Sequence, residues 1–193
     1  MVITTDTIKQ LRDTTGISVM QCKKALEEAG GDMEKAVVLL RKKGAAVAAK
    51  KADRELKSAT VGSYVHANGT IGAMVLLSCE TDFVSGNEGF KALARDLAMQ
   101  VAATAPEYQS LESVPEADKR AAREVFEKEV KDKPKAMQEK IMEGKLAAYF
   151  KEKTLLDQAF IKDQELSVRD LIQNAVQKFG EKIEVVTFIR LSL

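Results

Sequence analysis

The chain has 193 residues, room for one medium domain or a small one followed by a larger one. With 45% hydrophobic and 31% charged residues and a net charge of +1, its composition is that of a soluble globular protein, with no overall pull toward polyanions. No apolar run reaches the ~18 residues of a membrane span, and the N-terminus lacks the basic and apolar regions of a signal peptide, so a cytoplasmic protein is expected.

Charge is distributed unevenly. Residues 1–57 hold twelve Lys/Arg against eight Asp/Glu, a net +4 that leaves −3 for the remainder. Most of the excess lies between Arg41 and Lys57, where a solvated helix or linker is the ordinary reading and a polyanion site the alternative. Cys22 and Cys79 lie far apart in apolar patterns and read as buried thiols, not as a disulfide.

Residues 1–43 read as a three-helix module. The first helix carries Ile8 and Leu11 and ends near Thr14-Thr15-Gly16. Ser18-x-x-Gln21 is a capping-box signature, and Val19, Cys22, Leu26 and Ala29 follow the spacing of one helix face. Gly30-Gly31 stops that helix, and Asp32 caps a third with the stripe Met33, Ala36, Val37 and Leu40. So small a bundle buries little, which suits a docking module better than an enzyme. Residues 44–57 are helical by alanine content but poor in large apolar side chains, and read as a basic linker.

From Ala59 the period switches to two, opening a core domain over residues 58–193. Val61–His66, Ala67-Asn68-Gly69 and Thr70–Ser78 form a hairpin signal built on Asn-Gly. A last strand, Lys182–Leu191, places Ile183, Val185, Thr187, Ile189 and Leu191 on one face and Val186 and Phe188 on the other. Between them lie four helical segments. One carries Phe90, Leu93, Ala94, Leu97 and Val101; a second opens at Ser113-x-x-Glu116 and bears Val125 and Phe126; a third follows Pro134 through Met137, Ile141, Leu146 and Phe150; the fourth runs from Val168 to Phe179. The expected class is α+β, an antiparallel three-stranded sheet with helices on one face and a helical hairpin. Its other face is too apolar for water, which suggests a second subunit there.

Sequence signatures of chemistry are absent. There is no G-x-x-x-x-G-K-[ST] loop and no G-x-G-x-x-G after a strand. His66, the only histidine, forms no zinc spacing with the cysteines and has no motif-placed nucleophile beside it. Aromatics are not interleaved with basic residues, so no stacking platform for nucleic acid is visible. Neither catalysis nor a cofactor is expected; binding is. The stretch that draws notice is Cys79-Glu80-Thr81-Asp82-Phe83-Val84, where an aromatic flanked by acids sits between a strand and a helix. Two readings stand: a core Phe at a corner, or an exposed anchor for a partner's pocket.

Several stretches in order resemble one family. They are Leu11-Arg12-x-x-Thr15-Gly16, Met20-x-Cys22-Lys23-Lys24-Ala25-Leu26, Gly31-Asp32 before Ala36, Arg41-Lys42-x-Gly44-Ala45, and Ala48-Ala49-Lys50-Lys51-Ala52. Gly62-Ser63-Tyr64-x-His66, Cys79-x-Thr81-Asp82-Phe83-Val84, Lys133-Pro134 and Glu139-Lys140-x-x-Glu143-Gly144-Lys145-Leu146 continue the match along essentially the whole chain. Together they resemble bacterial elongation factor Ts, the guanine nucleotide exchange factor of elongation factor Tu.

The resemblance implies that residues 1–43 form a ubiquitin-associated-like module docking on the partner's GTPase domain. It implies that Asp82 and Phe83 intrude to dislodge the partner's magnesium while Thr81 and Val84 hold the turn. Arg12, Met20 and Lys23 match module positions that face the partner, and His66 with Phe179-Gly180 match a sheet-end region that also contacts it. Longer members carry a duplicated core half; this chain resembles the short form, in which a second copy supplies that half, so a homodimer is expected. Two departures from the family pattern stand out. Val19 replaces the first of two methionines, leaving its partner contact open, and Ser85-Gly86 implies a looser corner. The rival to exchange is a scaffold that binds a partner through the helical module without touching nucleotide.

Overall fold

A computed structural model describes residues 3–131 and 134–192. Three helices open the chain: α1 (Thr5–Thr15), α2 (Val19–Glu28) and α3 (Met33–Lys50). Thr4 and Thr7 cap α1 reciprocally, and Gly16 ends it at φ 68, its N–H reaching the Arg12 carbonyl. Asp32 caps α3 through the Lys35 N–H at 3.0 Å. Leu11, Ile17, Cys22, Ala25, Leu26, Ala36 and Leu40 fill the small core, with Ile8, Met33 and Val37 at its edge. Val19 lies outside the stripe assigned to it, exposed on the first turn of α2, while Ala25 is buried.

The Ser18 box is only half made. Ser18 accepts the Gln21 N–H, but the Gln21 side chain leaves its own helix and accepts a hydrogen bond from Gln177 Nε2 at 2.7 Å. Gln177 belongs to α8 (Val168–Phe179), so a residue read as a local cap joins two parts of the molecule.

The linker reading is corrected in its first half. α3 does not stop near residue 43 but runs unbroken to Lys50. Gly44 is buried, and a methyl there would stand 3.2 Å from Gln177 Oε1 and 3.5 Å from the Gln173 carbonyl. Val47 and Ala48 pack on the main core. Small residues here let two helix backbones approach closely, which substitutes for large side chains.

The sheet has the order β1-β2-β5, all antiparallel neighbours, with β1 (Ser58–Val65), β2 (Ile71–Cys79) and β5 (Ile183–Ser192). Its hairpin turn is not the two-residue Asn-Gly type. The Gly69 N–H bonds the His66 carbonyl, so Ala67 and Asn68 are the central pair and Gly69 follows at φ 71. Helix α5 (Glu88–Thr104) lies across one face of the sheet. Its line of Phe90, Leu93, Ala94, Leu97 and Val101 is buried as the spacing predicts. Gly62 permits this: a Cβ would stand 2.1 Å from the Ala94 carbonyl oxygen.

The face assignment of the last strand fails midway. Register shifts between Leu76 and Leu77, which pair with Thr187 and Val185, so Val186 is an extra residue. Beyond this bulge the alternation inverts. Ile183 and Val185 face the helices, then Phe188 packs on the core and Arg190 bonds the Ala102 carbonyl, while Ile189 and Leu191 turn outward. Val61, Met74, Ile189 and Leu191 leave the uncovered face apolar and exposed.

The sequence reading did not include the single turn α4 (Asp82–Ser85) or the ribbon of β3 (Ala159–Phe160) with β4 (Asp163–Ser167). Buried Gln100 on α5 pins that ribbon, donating to Gln158 Oε1 and the Ala159 carbonyl and accepting from the Ile161 N–H. The helical hairpin comprises α6 (Glu116–Val130) and α7 (Lys135–Lys153). Ser113 does not cap α6; its hydroxyl pairs with the Ser110 backbone in a 3-10 turn, and Pro115 precedes α6. Ala122, Val130, Met142 and Phe150 are buried, whereas Val125 and Met137 face outward. Lys133 of the Lys133-Pro134 pair lies outside the described residues.

Candidate functional site

The stretch after β2 builds a corner whose tip is exposed and whose base is bound on several sides. Cys79 is buried and its thiol donates to the Thr81 carbonyl at 3.1 Å. Burial foremost, with the nearby Glu181 charge, pushes that thiol above its ordinary pKa, and burial likewise raises Cys22, so neither is a ready nucleophile. Thr81 caps α4, its Oγ1 accepting the Val84 N–H at 3.4 Å. One turn of helix has no stability alone, so packing and caps must hold it.

Val84 points inward at 3% exposure and Phe83 points outward at 82%. The core reading of Phe83 is therefore overturned: its backbone neighbour takes the buried position. Nor is the Ser85-Gly86 corner loose. Ser85 Oγ meets Ser58 Oγ at 2.7 Å, its carbonyl accepts Thr60 Oγ1 at 2.7 Å, and Gly86 bonds back to Asp82. The two β1 hydroxyls, of Ser58 and Thr60, thus anchor the corner to the sheet.

Glu181 makes the longest-range connection. Its Oε2 accepts the N–H groups of Glu80 and Thr81, each at 3.0 Å, and its Oε1 accepts the Thr81 hydroxyl at 2.6 Å. Glu80 in turn accepts the Lys182 N–H at 2.6 Å and pairs with Arg54 at 3.0 Å. Burial would raise the Glu80 pKa, but the Lys182 N–H and the Arg54 guanidinium outweigh it and hold the carboxyl below the ordinary range. Lys51 Nζ, at the end of α3, bonds the Gly180 carbonyl at 2.6 Å. Two cations of the basic segment, Lys51 and Arg54, thus brace this corner, while Lys43 pairs with Glu28 and Lys57 with Glu55 at the surface.

Phe179 and Gly180 close α8 beside this corner. Phe179 is half-buried, edge-on to Phe90 at 5.9 Å, and Gly180 takes the left-handed cap at φ 73. His66 does not join them. It is exposed at the other end of the sheet, with Nδ1 3.2 Å from the Tyr64 hydroxyl, above a cleft of about 310 Å³ that Arg190 also lines. The reading that put His66 with Phe179-Gly180 at one sheet end is corrected by topology. β1 and β5 both run against β2, so the end of β1 and the start of β5 lie at opposite ends. The eight steps along β2 from Ile71 to Cys79, at ~3.3 Å each, separate them by roughly 26 Å.

Arg12, Met20 and Lys23 are exposed on the module, Met20 at 65%, and Lys23 makes only a loose 3.8 Å pair with Glu27. The Gln21–Gln177 bond ties the module to α8 three residues before Gly180, so α8 carries the module on its flank and the Phe83 corner at its end. Glu181, Arg54 and Lys51 were missed by sequence reasoning, because nothing local marks a carboxylate that reaches back a hundred residues.

A family model described as "Elongation factor TS" matches residues 5–193. Elongation factor Ts of Thermodesulfovibrio yellowstonii is 49% identical over 191 residues, covering 98% of this chain and 96% of that protein. Elongation factor Ts of Thermotoga petrophila is 50% identical over 190 residues, with 98% and 96% covered. That of Fervidobacterium nodosum is 45% identical over 195 residues, with 100% and 99% covered.

Proposed function

Because the chain belongs to the elongation factor Ts family and is thereby a translation elongation factor, we propose that it acts on GDP-bound elongation factor Tu, dislodging magnesium so that GTP replaces GDP. The observation that carries this reading is Phe83, 82% exposed on a single turn anchored from beneath by Val84. Leaving a Phe in water forgoes about 1.5–3 kcal/mol of burial. An aromatic held outward on a fixed base suits insertion into a partner's pocket. Asp82 beside it adds a charge of the sign that competes with phosphate for a cation.

Exchange needs no bond chemistry from this chain. It must bind the nucleotide-free GTPase better than the loaded one, and reciprocity lowers nucleotide affinity by the same factor. Thr81 and Val84 hold the wedge; Arg12, Met20 and Lys23 on the module, with Phe179, Gly180 and His66, are the further partner contacts. The module and the wedge sit on one framework joined through α8 and α3, so preorganisation favours double engagement here, not the slack of a tether. The site of action is the cytoplasm. A second copy covers the exposed sheet face, and the pairing of Lys43, Lys51 and Arg54 with acceptors of this chain weighs against direct nucleic-acid binding.

The test is release of fluorescent GDP from elongation factor Tu in excess magnesium. Acceleration by the wild type and its loss in Phe83→Ala, at unchanged melting temperature, is the expected result. No acceleration by the wild type hands the role to a scaffold, and acceleration that survives Phe83→Ala removes the wedge while keeping exchange.

A further inference from the structure

We infer that Glu181 is a positioning residue for the exchange reaction: its carboxylate sets the aim of Phe83 before any partner arrives. The inference rests on the exchange reading above. α4 has four residues, so its direction comes from its two ends and not from its own hydrogen bonds. Val84 fixes the buried end. At the other, the capping contact from the Val84 N–H to Thr81 Oγ1 is long at 3.4 Å and leaves the Thr81 side chain free to choose another rotamer.

Glu181 removes that choice. A 2.6 Å charge-assisted bond takes the Thr81 hydroxyl proton and leaves an oxygen lone pair for the Val84 N–H. The other carboxylate oxygen holds the two preceding N–H groups, so three donors of one turn converge on one side chain. Glu181 is itself set by the left-handed Gly180 before it, whose carbonyl is held by Lys51, and by the Lys182 N–H bonded to Glu80 after it. The aim of the wedge is therefore referred to α8 and the end of α3, the elements that carry the module.

Stability and aim are separable here. Thr81 is exposed and Glu80 only half-buried, so water can reach all three donors if Glu181 is lost, while Val84 and the Ser58, Thr60 and Ser85 hydrogen bonds keep the corner folded. The test uses the full chain, measuring GDP release from elongation factor Tu across protein concentrations, with melting temperature measured alongside. Glu181→Ala is expected to lower the saturating rate by ~10- to 100-fold, the scale of an ångström's misplacement. The concentration at half-saturation and the melting temperature should stay near wild type. Glu181→Gln retains an oxygen for the two N–H groups but turns an amide NH2, which cannot accept the Thr81 hydroxyl, toward Thr81, and should lose about threefold. If Glu181→Ala releases GDP as the wild type does while Phe83→Ala does not, the inference falls and the exchange reading stands. A loss shared equally between rate and affinity, with a lowered melting temperature, also overturns it in favour of a structural role. Should the alanine variant not fold, an undiminished rate in the isosteric Glu181→Gln does the same. Wild type without exchange activity overturns both readings together.

Discussion

Phe83 and Val84 are consecutive residues on one helical turn, and their environments differ as much as two side chains can. The contrast follows from geometry: a single turn can present only one side to the core, and Val84, following the Thr81 cap by three residues, takes it. Glu80 shows how charge supports that arrangement. Its folded pKa is depressed, so its contribution to stability is fully present above the unfolded carboxylate value and is lost as pH falls through the depressed folded value. Glu80→Gln keeps an acceptor for the Lys182 N–H but loses the charge facing Arg54. Chemical denaturation at pH 7 should find the variant less stable than the wild type, and the gap should close progressively as both are titrated below pH 4.5, the ordinary Glu value. A gap that is constant with pH would assign the effect to packing.

Among the elements, the closest approaches are made by residues with no side chain. Gly62 lets α5 lie directly on β1, and Gly44 lets α3 lie on α8. At Gly62 the clash is with backbone atoms at 2.1 and 2.2 Å, which cannot rotate away. Gly62→Ala must therefore lift α5 from the sheet and loosen the burial of Phe90 and Leu97, at a cost of about 3 kcal/mol or more. Urea denaturation measures it; a cost under about 1 kcal/mol would mean the helix can slide without loss. The β5 bulge acts at the same scale. One extra residue, Val186, brings Phe188 inward and sends Ile189 out.

For the whole molecule, the separation of His66 from the Phe83 corner means that a single partner reaching both must span the length of the sheet, unless a second copy presents one of them. The uncovered face between these ends bears Met74 and Ile189, paired across β2 and β5. Lysine at both positions leaves the covered core untouched and places two charges where a second sheet would pack. Sedimentation at micromolar concentration should give twice the 21.2 kDa chain mass for wild type and the chain mass itself for the double variant. A wild type that sediments at the chain mass removes the dimer.

Sequence by itself determined the local order: α1 with its Gly16 stop, the Asp32 cap, the buried line of α5, the antiparallel hairpin and the Thr-Asp-Phe-Val motif. Each depends on spacing within a few residues, on caps and on side-chain period, all of which a single strand of text displays. The environment of Phe83, the continuation of α3 past Gly44, the inverted end of β5 and the placing of His66 far from Gly180 were decided only by tertiary structure. Those outcomes depend on which neighbour arrives from elsewhere in the chain: a glycine reads as a break or a close contact only once the facing helix is known, and a bulge is a property of two strands, not one. Glu181 is the clearest case, because its partners Glu80 and Thr81 lie a hundred residues away and only the antiparallel pairing of β2 with β5 brings them together.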